Sequence, residues 1–374
     1  MLILSKQTPV SYLKGLNGIR FLLAMLVLLG HTQSSLAAHG VLFFSEQPIL
    51  HKQSLSVEFF FILSGFLLTF LAVGELEKTG TLHIRNFFIR RILRIMPLYY
   101  WFVALNFALF GVIIPLTTGK YHLQYTLSEG LFFHLLFLPN FIIAKYPNSW
   151  GPLYALWSIG VEEQFYLFFP FLMPFLLRRK RVLFIFIMIT ALYFVVYFYI
   201  ENAVFPKDFA ILKVFLHTLK FQFMFLGAAA AVLFAQYKAV IQKLMQYEMA
   251  HLIIWLLFLH VLFVIPENYG AHLWHSLVFC ALLLSIAAHQ SRFFRLEWQP
   301  LAYLGSLSYG IYVYHSLVLH VFTTLLYKKP LLTIYIKNQP LLYYFATICV
   351  SIVVAHFSFR YFEMWFLRLK TKFL

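Results

Sequence analysis

Charged residues are scarce in this sequence of 374 residues, at 11% of the chain, whereas a soluble domain contains about 25%. Hydrophobic residues reach 62% and mean hydropathy is +0.81. A soluble globular protein, a disordered chain and a coiled coil are therefore excluded. Apolar runs of about 18 or more residues recur without strand-like alternation. The composition predicts an all-α polytopic integral membrane protein.

Cysteine and aspartate are also rare. Cys280 and Cys349 lie in apolar runs without disulfide or metal-site spacing, so we interpret them as core residues. Asp208 is the only aspartate. Acidic metal-binding loops are therefore missing and no metal is expected. Their absence disfavours a multispan glycosyltransferase that uses a lipid-phosphate sugar.

Ten apolar segments are predicted to span the membrane. They cover residues 16–36, 56–73, 97–116, 152–177, 182–200, 211–236, 250–266, 271–289, 301–327 and 341–367. Residues 131–144 are too short for a span and favour a re-entrant or interfacial segment. The whole chain, 1–374, is expected to form one transmembrane domain with no soluble enzyme fused at either end.

Basic residues outnumber acidic ones, 29 to 13, and lie in short clusters between the apolar runs. With ten spans and a cytoplasmic N-terminus, 19 of them lie inside and 7 outside, whereas eleven spans give 13 and 13. This positive-inside pattern predicts a multi-pass membrane protein with both termini in the cytoplasm. Membrane lipid, and no nucleic acid, is the expected partner of the positive charge. A cleaved signal peptide that includes the first span is a less favoured alternative.

The first predicted span carries two ionisable residues, Arg20 and His31. Eleven residues are three helical turns plus a small remainder, which places both on one face about 16 Å apart. A snorkelling arginine and a hydrogen-bonded histidine would explain them without function. A neutral histidine is also the natural general base for a hydroxyl. Glu58, at a similar depth in the second span, is a candidate to orient His31, and an interfacial glutamate facing water is the alternative.

Arginines cluster before the third predicted span, where residues 85–97 form an amphipathic pattern. Binding to anionic lipid explains such a pattern. Arg91 and Arg94, with Arg90 beside them, also suggest a phosphate site, because residues at i and i+3 share a helix face.

Two carboxylates, Glu162 and Glu163, lie about ten residues into the fourth predicted span. Ser158, Glu162 and Tyr166 recur at i, i+4 and share a face, whereas Glu163 points about 100° away. Buried ionisable residues in a span are functional candidates by default. The spacing therefore favours a functional role for at least one of the two glutamates.

A polar face also recurs in the ninth predicted span, where Ser308, Tyr312 and His315 approximate i, i+4, i+7 spacing beside Tyr309. A seam of hydrogen bonds between helices is the structural interpretation. The functional interpretation is that these residues contribute to a cofactor site.

Several of these segments, in this order, resemble the motifs of acyltransferase family three, the bacterial integral-membrane O-acyltransferases. The stretches are LNGIRFLLAMLVLLGH, SVEFFFILSGFLLT, FFIRRILRIMPLYY, WSIGVEEQFYLFFP and LGSLSYGIYVYH. The closing FRYFEMWF also resembles the family's aromatic–glutamate segment but lacks its usual Glu-Arg/Lys-Pro ending.

The resemblance implies a protein of the bacterial inner membrane. It also implies transfer of an acyl group from cytoplasmic acetyl-CoA to a sugar hydroxyl on the far side of the membrane. The implied catalytic residues are His31, Glu162, Glu58 and Tyr166. The implied donor-binding residues are Arg20, Arg90, Arg91, Arg94, Ser308, Tyr309 and His315. His31 would act as a base or carry the acyl group itself. Tyr166, Tyr309 or Ser308 would stabilise the oxyanion.

The expected acceptor is a carbohydrate or lipid-linked envelope glycan such as lipopolysaccharide O-antigen. The alternative function is a transporter or flippase for a sugar or lipid-linked saccharide, since intramembrane histidine, glutamate and arginine also serve proton coupling and anion binding. The sequence leaves open whether the protein forms a homo-oligomer.

Overall fold

The computed structural model describes residues 13, 15–41, 46–119, 123–147, 151–265, 269–288, 291, 296, 298–370 and 372. Over this part of the chain the secondary structure is helical and contains no strand, which confirms the predicted all-α class. The α-helices, numbered in chain order, are α1 Leu16–Ala38, α2 Gln53–Thr79, α3 Ile84–Asn106, α4 Ile114–Thr118, α5 Leu127–Leu135, α6 Pro139–Lys145, α7 Leu156–Leu176, α8 Val182–Asn202, α9 Ala210–Thr218, α10 Phe221–Gln236, α11 Lys238–Leu244, α12 Glu248–Phe263, α13 Tyr269–Ala288, α14 Gln299–Ser306, α15 Ser308–Lys328, α16 Pro330–Asn338, α17 Pro340–Ser358 and α18 Met364–Lys370.

Short segments of other helix types join some of these α-helices. The 3-10 helices are Pro48–His51, Pro152–Ala155 and Lys207–Phe209, and the π-helical segments are Phe107–Ile113 and Phe359–Glu363. Of the basic residues in the charge count, Lys6, Lys14, Lys120, Arg292 and Arg295 lie outside the described residues.

Eight helical stretches in the described residues are long and apolar enough to cross a membrane. A ninth arises if α11 and α12, which meet at an angle of 89°, together form one broken span. The protein is therefore a multi-pass membrane protein. The eight stretches are α1, α2, α3 with α4, α8, α9 with α10, α13, α15, and α17 with α18.

The predicted span 250–266 corresponds to α12, which counts only together with α11, so α7 is the one predicted span that neither the eight stretches nor the ninth includes. Helix α7 has 21 residues, which correspond to about 31 Å and suffice to cross the hydrocarbon core. Glu162, Glu163 and Gln164 lower its hydropathy, so it is not among the eight. Phe165 and Phe169 of the same helix are fully buried. The polar residues of α7 thus face other helices, whereas Leu167, Phe171 and Phe175 on the same helix are exposed.

The segment predicted to be re-entrant, residues 131–144, is not one helix. It falls on α5 and α6, of nine and seven residues, which are separated by a turn with Phe137 at φ 56°. Neither helix is long enough to span a bilayer. The side chain of Gln164 donates hydrogen bonds to the Phe137 carbonyl (2.8 Å) and to Asn140 Oδ1 (2.9 Å), which ties the turn to α7.

The outer surface of the helix bundle is apolar, as a lipid-facing surface must be. Leu192, Val195 and Phe198 of α8 each expose more than 60% of their area, and only 17% of this span is buried. The span formed by α9 and α10 is 78% buried. So large an exposed apolar surface is rare on a soluble monomer. Helix α8 is therefore peripheral and α10 is central.

Helices α2 and α10 pack together through glycine. A Cβ atom at Gly65 would lie 1.9 Å from the carbonyl oxygen of Met224, and one at Gly227 would lie 2.0 Å from that of Ile62. Membrane helices gain little from hydrophobic burial against each other, so close backbone packing at small residues stabilises their association. These two glycines set the distance between α2 and α10.

We predict that Gly65→Ala destabilises the protein, because the added methyl group would force the two backbones apart. Gly74→Ala is the matched control, since Gly74 lies in the same helix and a methyl group added there would have no atom within 4 Å. The control should be neutral or stabilising by up to about 1 kcal/mol, because alanine is the better helix former. The measurement is thermal unfolding of both variants in detergent. Equal melting temperatures would contradict the packing role.

Candidate active site

A cavity lined by both polar and apolar side chains lies between α1, α2, α3, α7 and α15. Its volume is about 100 Å³, below the roughly 300–1,000 Å³ of pockets that enclose a drug-sized ligand. It therefore suits a slender chain or a few polar groups. Seven of the residues predicted to form the site line this cavity: Arg20, Arg91, Arg94, Glu162, Tyr166, Ser308 and Tyr309.

Glu162 is the carboxylate in the cavity wall, and both of its oxygens accept hydrogen bonds. Ser64 donates to Oε1 (2.7 Å) and Tyr166 donates to Oε2 (3.2 Å). Ser158, Glu162 and Tyr166 all line the cavity, which confirms that they share a face of α7. Glu163 does not line it and lies near Tyr99 of α3.

The arginines enter the cavity from α1 and α3. Arg91 and Arg94 lie on a continuous helix that begins at Ile84, so the predicted amphipathic segment belongs to a spanning helix and is not a separate surface helix. The guanidinium carbon of Arg91 lies 4.7 Å from the centroid of the Tyr166 ring, a cation–π distance that orients the side chain.

Three arginines and one glutamate are the charged residues in the lining of the cavity. Glu363 supplies a second carboxylate close enough to interact electrostatically with Arg94. Glu363 is buried, and Ser358 donates a hydrogen bond to it (3.0 Å). Glu163 interacts in the same way with Arg91, so three carboxylates lie within electrostatic reach of the three arginines, although Glu162 is the one that lines the cavity. The guanidinium groups in the lining suit phosphate.

The cavity also has a hydroxyl-rich wall. Tyr309 donates to the carbonyl oxygen of Ile95 (2.9 Å), and the hydroxyl groups of Tyr312 and Ser158 are 2.5 Å apart. The hydroxyl protons of Tyr166 and Tyr309 are thus already donated elsewhere. This disfavours the expectation that either one stabilises an oxyanion.

His31 and His315 form a pair. His31 Nδ1 lies 2.8 Å from His315 Nε2, and His315 Nδ1 lies 2.6 Å from the carbonyl oxygen of Tyr312. His315 is fully buried and His31 is partly buried. Tyr312 lines the cavity, so the pair adjoins its wall at this residue. The predicted supports of His31 were Glu162 and Glu58, but the described hydrogen bond is to His315.

Glu58 belongs to a different cluster. Its carboxylate accepts hydrogen bonds from Lys220 Nζ and His272 Nδ1, each at 2.7 Å, and Glu58 is fully buried. Both oxygens are therefore occupied by groups from α13 and from the junction before α10. These contacts do not support the expectation that Glu58 orients His31. The alternative, an interfacial glutamate that faces water, is wrong because Glu58 is fully buried.

Arg90 differs from its neighbours on α3. Its guanidinium group lies 3.4 Å from Glu75 Oε2, and it does not line the cavity. Adjacent helix residues diverge by about 100°, so Arg90 and Arg91 cannot both face inward. The structure separates Arg90 from the other predicted donor-site residues.

Several residues of the site and of the Glu58 cluster were missed as functional candidates. Ser64 was not among the predicted site residues, yet its hydroxyl donates a hydrogen bond to Glu162. Lys220 and His272 carry no motif, and a charged residue within an apolar span was the only signal for Lys220. The aromatic–glutamate segment was the signal for Glu363. Within the described residues, no group of three or more potential metal ligands occurs.

Comparison with known proteins identifies the class. The profile of a family described as an acyltransferase domain matches residues 13–359. The chain therefore belongs to this acyltransferase family, and it is a multi-pass membrane protein.

Its relatives are O-acetyltransferases by name. A putative O-acetyltransferase of Staphylococcus aureus (strain COL) is 24% identical over 386 residues, which cover 96% of this chain and 58% of that protein. The O-acetyltransferase OatA of Staphylococcus aureus (strain NCTC 8325 / PS 47) is 25% identical over 387 residues, with the same coverage. The chain thus spans less than two thirds of the length of these relatives. No solved structure matches it.

We predict that Lys220→Met lowers the free energy of unfolding by about 3 kcal/mol, because it leaves the buried Glu58 charge without its lysine partner. The double variant Glu58→Gln, Lys220→Met should regain more than half of this loss, since no unpaired charge remains. Chemical unfolding in detergent measures the two single variants, Lys220→Met and Glu58→Gln, and the double variant. A double variant as unstable as the sum of the two single variants would contradict the pairing.

Proposed function

We propose that the protein is a membrane O-acyltransferase. It moves an acetyl group from cytoplasmic acetyl-CoA to a hydroxyl of an extracytoplasmic or lipid-linked envelope glycan, such as lipopolysaccharide O-antigen. Membership of the acyltransferase family and relatives named O-acetyltransferases support the reaction class. The proposed location is the bacterial inner membrane, on the basis of the family and its bacterial relatives. Both termini are proposed to lie in the cytoplasm, on the basis of the charge distribution.

One observation carries the proposal: α1 joins an arginine in the cavity to a histidine pair. Arg20 and His31 lie on the same continuous helix and share a face, about 16 Å apart. Arg20, with Arg91 and Arg94, provides the positive charge that a nucleotide diphosphate requires. An acyl thioester on a long arm could then extend from the arginines toward His31. The small cavity volume agrees with a slender arm and not with a whole nucleotide.

His31 is proposed to act on the acceptor hydroxyl. It takes the hydroxyl proton as the oxygen forms a bond to the acyl carbon, and the carbon–sulfur bond breaks. The thiolate leaves with the electron pair and receives the proton from His31. In the alternative route His31 first accepts the acyl group and then passes it to the hydroxyl. Glu162, held by Ser64 and Tyr166, keeps the arginine cluster in place in both routes.

The donor site can be tested with neighbouring arginines. Arg91→Ala with Arg94→Ala should raise the dissociation constant of coenzyme A by about 10- to 100-fold, because hydrogen bonds to charged groups contribute about 1.5–3 kcal/mol. Arg90→Ala is the control, since Arg90 faces Glu75, and should change it by less than about twofold. Isothermal titration with coenzyme A in detergent measures the constants. An equal increase in the dissociation constant of coenzyme A in both variants would contradict a donor site in the cavity.

The reaction itself can be tested with purified protein, radiolabelled acetyl-CoA and a panel of envelope glycans. We expect labelled ester on at least one glycan, and His31→Ala should lower kcat by about 10²- to 10⁴-fold while coenzyme A still binds. Proton-driven sugar flux without acyl transfer or thioester turnover would instead favour the transporter. Near-normal turnover by His31→Ala would contradict the role of His31.

A further inference from the structure

The contact between His31 and His315 has the geometry of one directed hydrogen bond. The ring planes differ by 15°, and the centroids are 5.1 Å apart. This separation exceeds the 2.8 Å between the two nitrogens by 2.3 Å, as expected when two imidazoles meet end to end. The lone pair of one nitrogen therefore points at the N–H of the other. The remaining question is which ring donates.

The backbone of Tyr312 decides the direction. A carbonyl oxygen only accepts hydrogen bonds, so His315 Nδ1 at 2.6 Å must carry a proton. His315 is fully buried, and its hydrogen bonds run to His31 and to the backbone of Tyr312 and Ile311. A buried charge without a carboxylate partner is costly, so we take the ring as neutral. Its Nε2 then has a lone pair, which accepts the proton of His31 Nδ1.

We propose that His315 is a positioning residue that holds His31 in the tautomer with Nδ1 protonated and Nε2 free to act as the base. The proposal rests on the proposed acyl transfer and deepens it. It assigns His315 to the acceptor chemistry, whereas the sequence assigned it to donor binding. Fixing the tautomer of a catalytic histidine through its second nitrogen is a general device.

The arrangement also stabilises the protonated state that catalysis creates. When His31 Nε2 takes the proton of the acceptor hydroxyl, the ring becomes cationic and its Nδ1–H bond to His315 becomes charge-assisted. His315 needs no proton transfer of its own in this step. In the acyl-histidine route the acyl group would sit on the same Nε2. The proposal therefore holds for both routes and names the reacting atom.

Two amide variants of His315 separate this role from a structural one. In His315→Gln the amide reaches the position of Nε2, so it can accept from His31 but no longer bonds to the Tyr312 carbonyl. In His315→Asn the amide reaches the position of Nδ1, so it keeps the bond to Tyr312 and loses the acceptor for His31. A positioning role predicts that glutamine rescues activity better, and a structural role predicts that asparagine does.

The kinetic test compares kcat and the KM for acetyl-CoA in the two variants. We expect His315→Asn to lower kcat by about 100-fold, at the lower end of what a positioned general base contributes. The kcat of His315→Gln should be at least about tenfold higher than that of His315→Asn. The KM for acetyl-CoA should stay within about twofold of the wild-type value in both variants. Equal kcat values, or a higher kcat for asparagine, would overturn the proposal.

A spectroscopic test does not depend on turnover and uses a variant only to assign signals. Solid-state ¹⁵N NMR of wild-type protein labelled in histidine and reconstituted in bilayers reports which ring nitrogens carry protons, and the signals lost in His31→Ala identify His31. We expect a protonated Nδ1 and an unprotonated Nε2 for His31. A protonated Nε2 with a bare Nδ1 would overturn the proposal. Wild-type protein that shows the expected tautomer but transfers no acyl group would contradict the proposed function alone.

Discussion

The backbone contact between α2 and α10 at Gly65 and Gly227 is the constraint on which the site depends. It fixes the rotation of α2 about its own axis, and side chains of this helix make polar contacts with several neighbouring elements. With Gly65 against α10, the adjacent Ser64 faces the cavity and donates to Glu162. Nearly two turns earlier, Glu58 meets Lys220, which directly precedes α10. A different rotation of α2 would separate Ser64 and Glu58 from their partners.

Pairing of buried polar groups is the second organising principle. In hydrocarbon no water is present to satisfy an exposed donor or acceptor, so polar side chains must find partners in the protein. Glu58 is bound by Lys220 and His272, and His31 by His315. Each pair joins elements that are distant in sequence. The same contacts that arrange the chemistry therefore also hold the helices together.

The sequence predicted features that follow from the geometry of a single helix. The shared face of Ser158, Glu162 and Tyr166, and that of Arg91 and Arg94, require only the 3.6-residue period. The partners of His31 and Glu58 were not predictable, because they lie 284 and 162 or 214 residues away. Depth in a span suggested that the two residues meet, whereas their rotation about the helix axes gives them different partners.

The number of residues between Arg20 and His31 sets two quantities together: their distance along the helix axis and their relative rotation about it. Each residue added between them would lengthen the helix by about 1.5 Å but turn it by about 100°. A single insertion would therefore change the reach only slightly while swinging the histidine away from its partner on α15. Only steps of three, four or seven residues nearly preserve the alignment. The distance between Arg20 and His31, and with it the length of a donor that reaches both, can therefore change only in steps of about one helical turn.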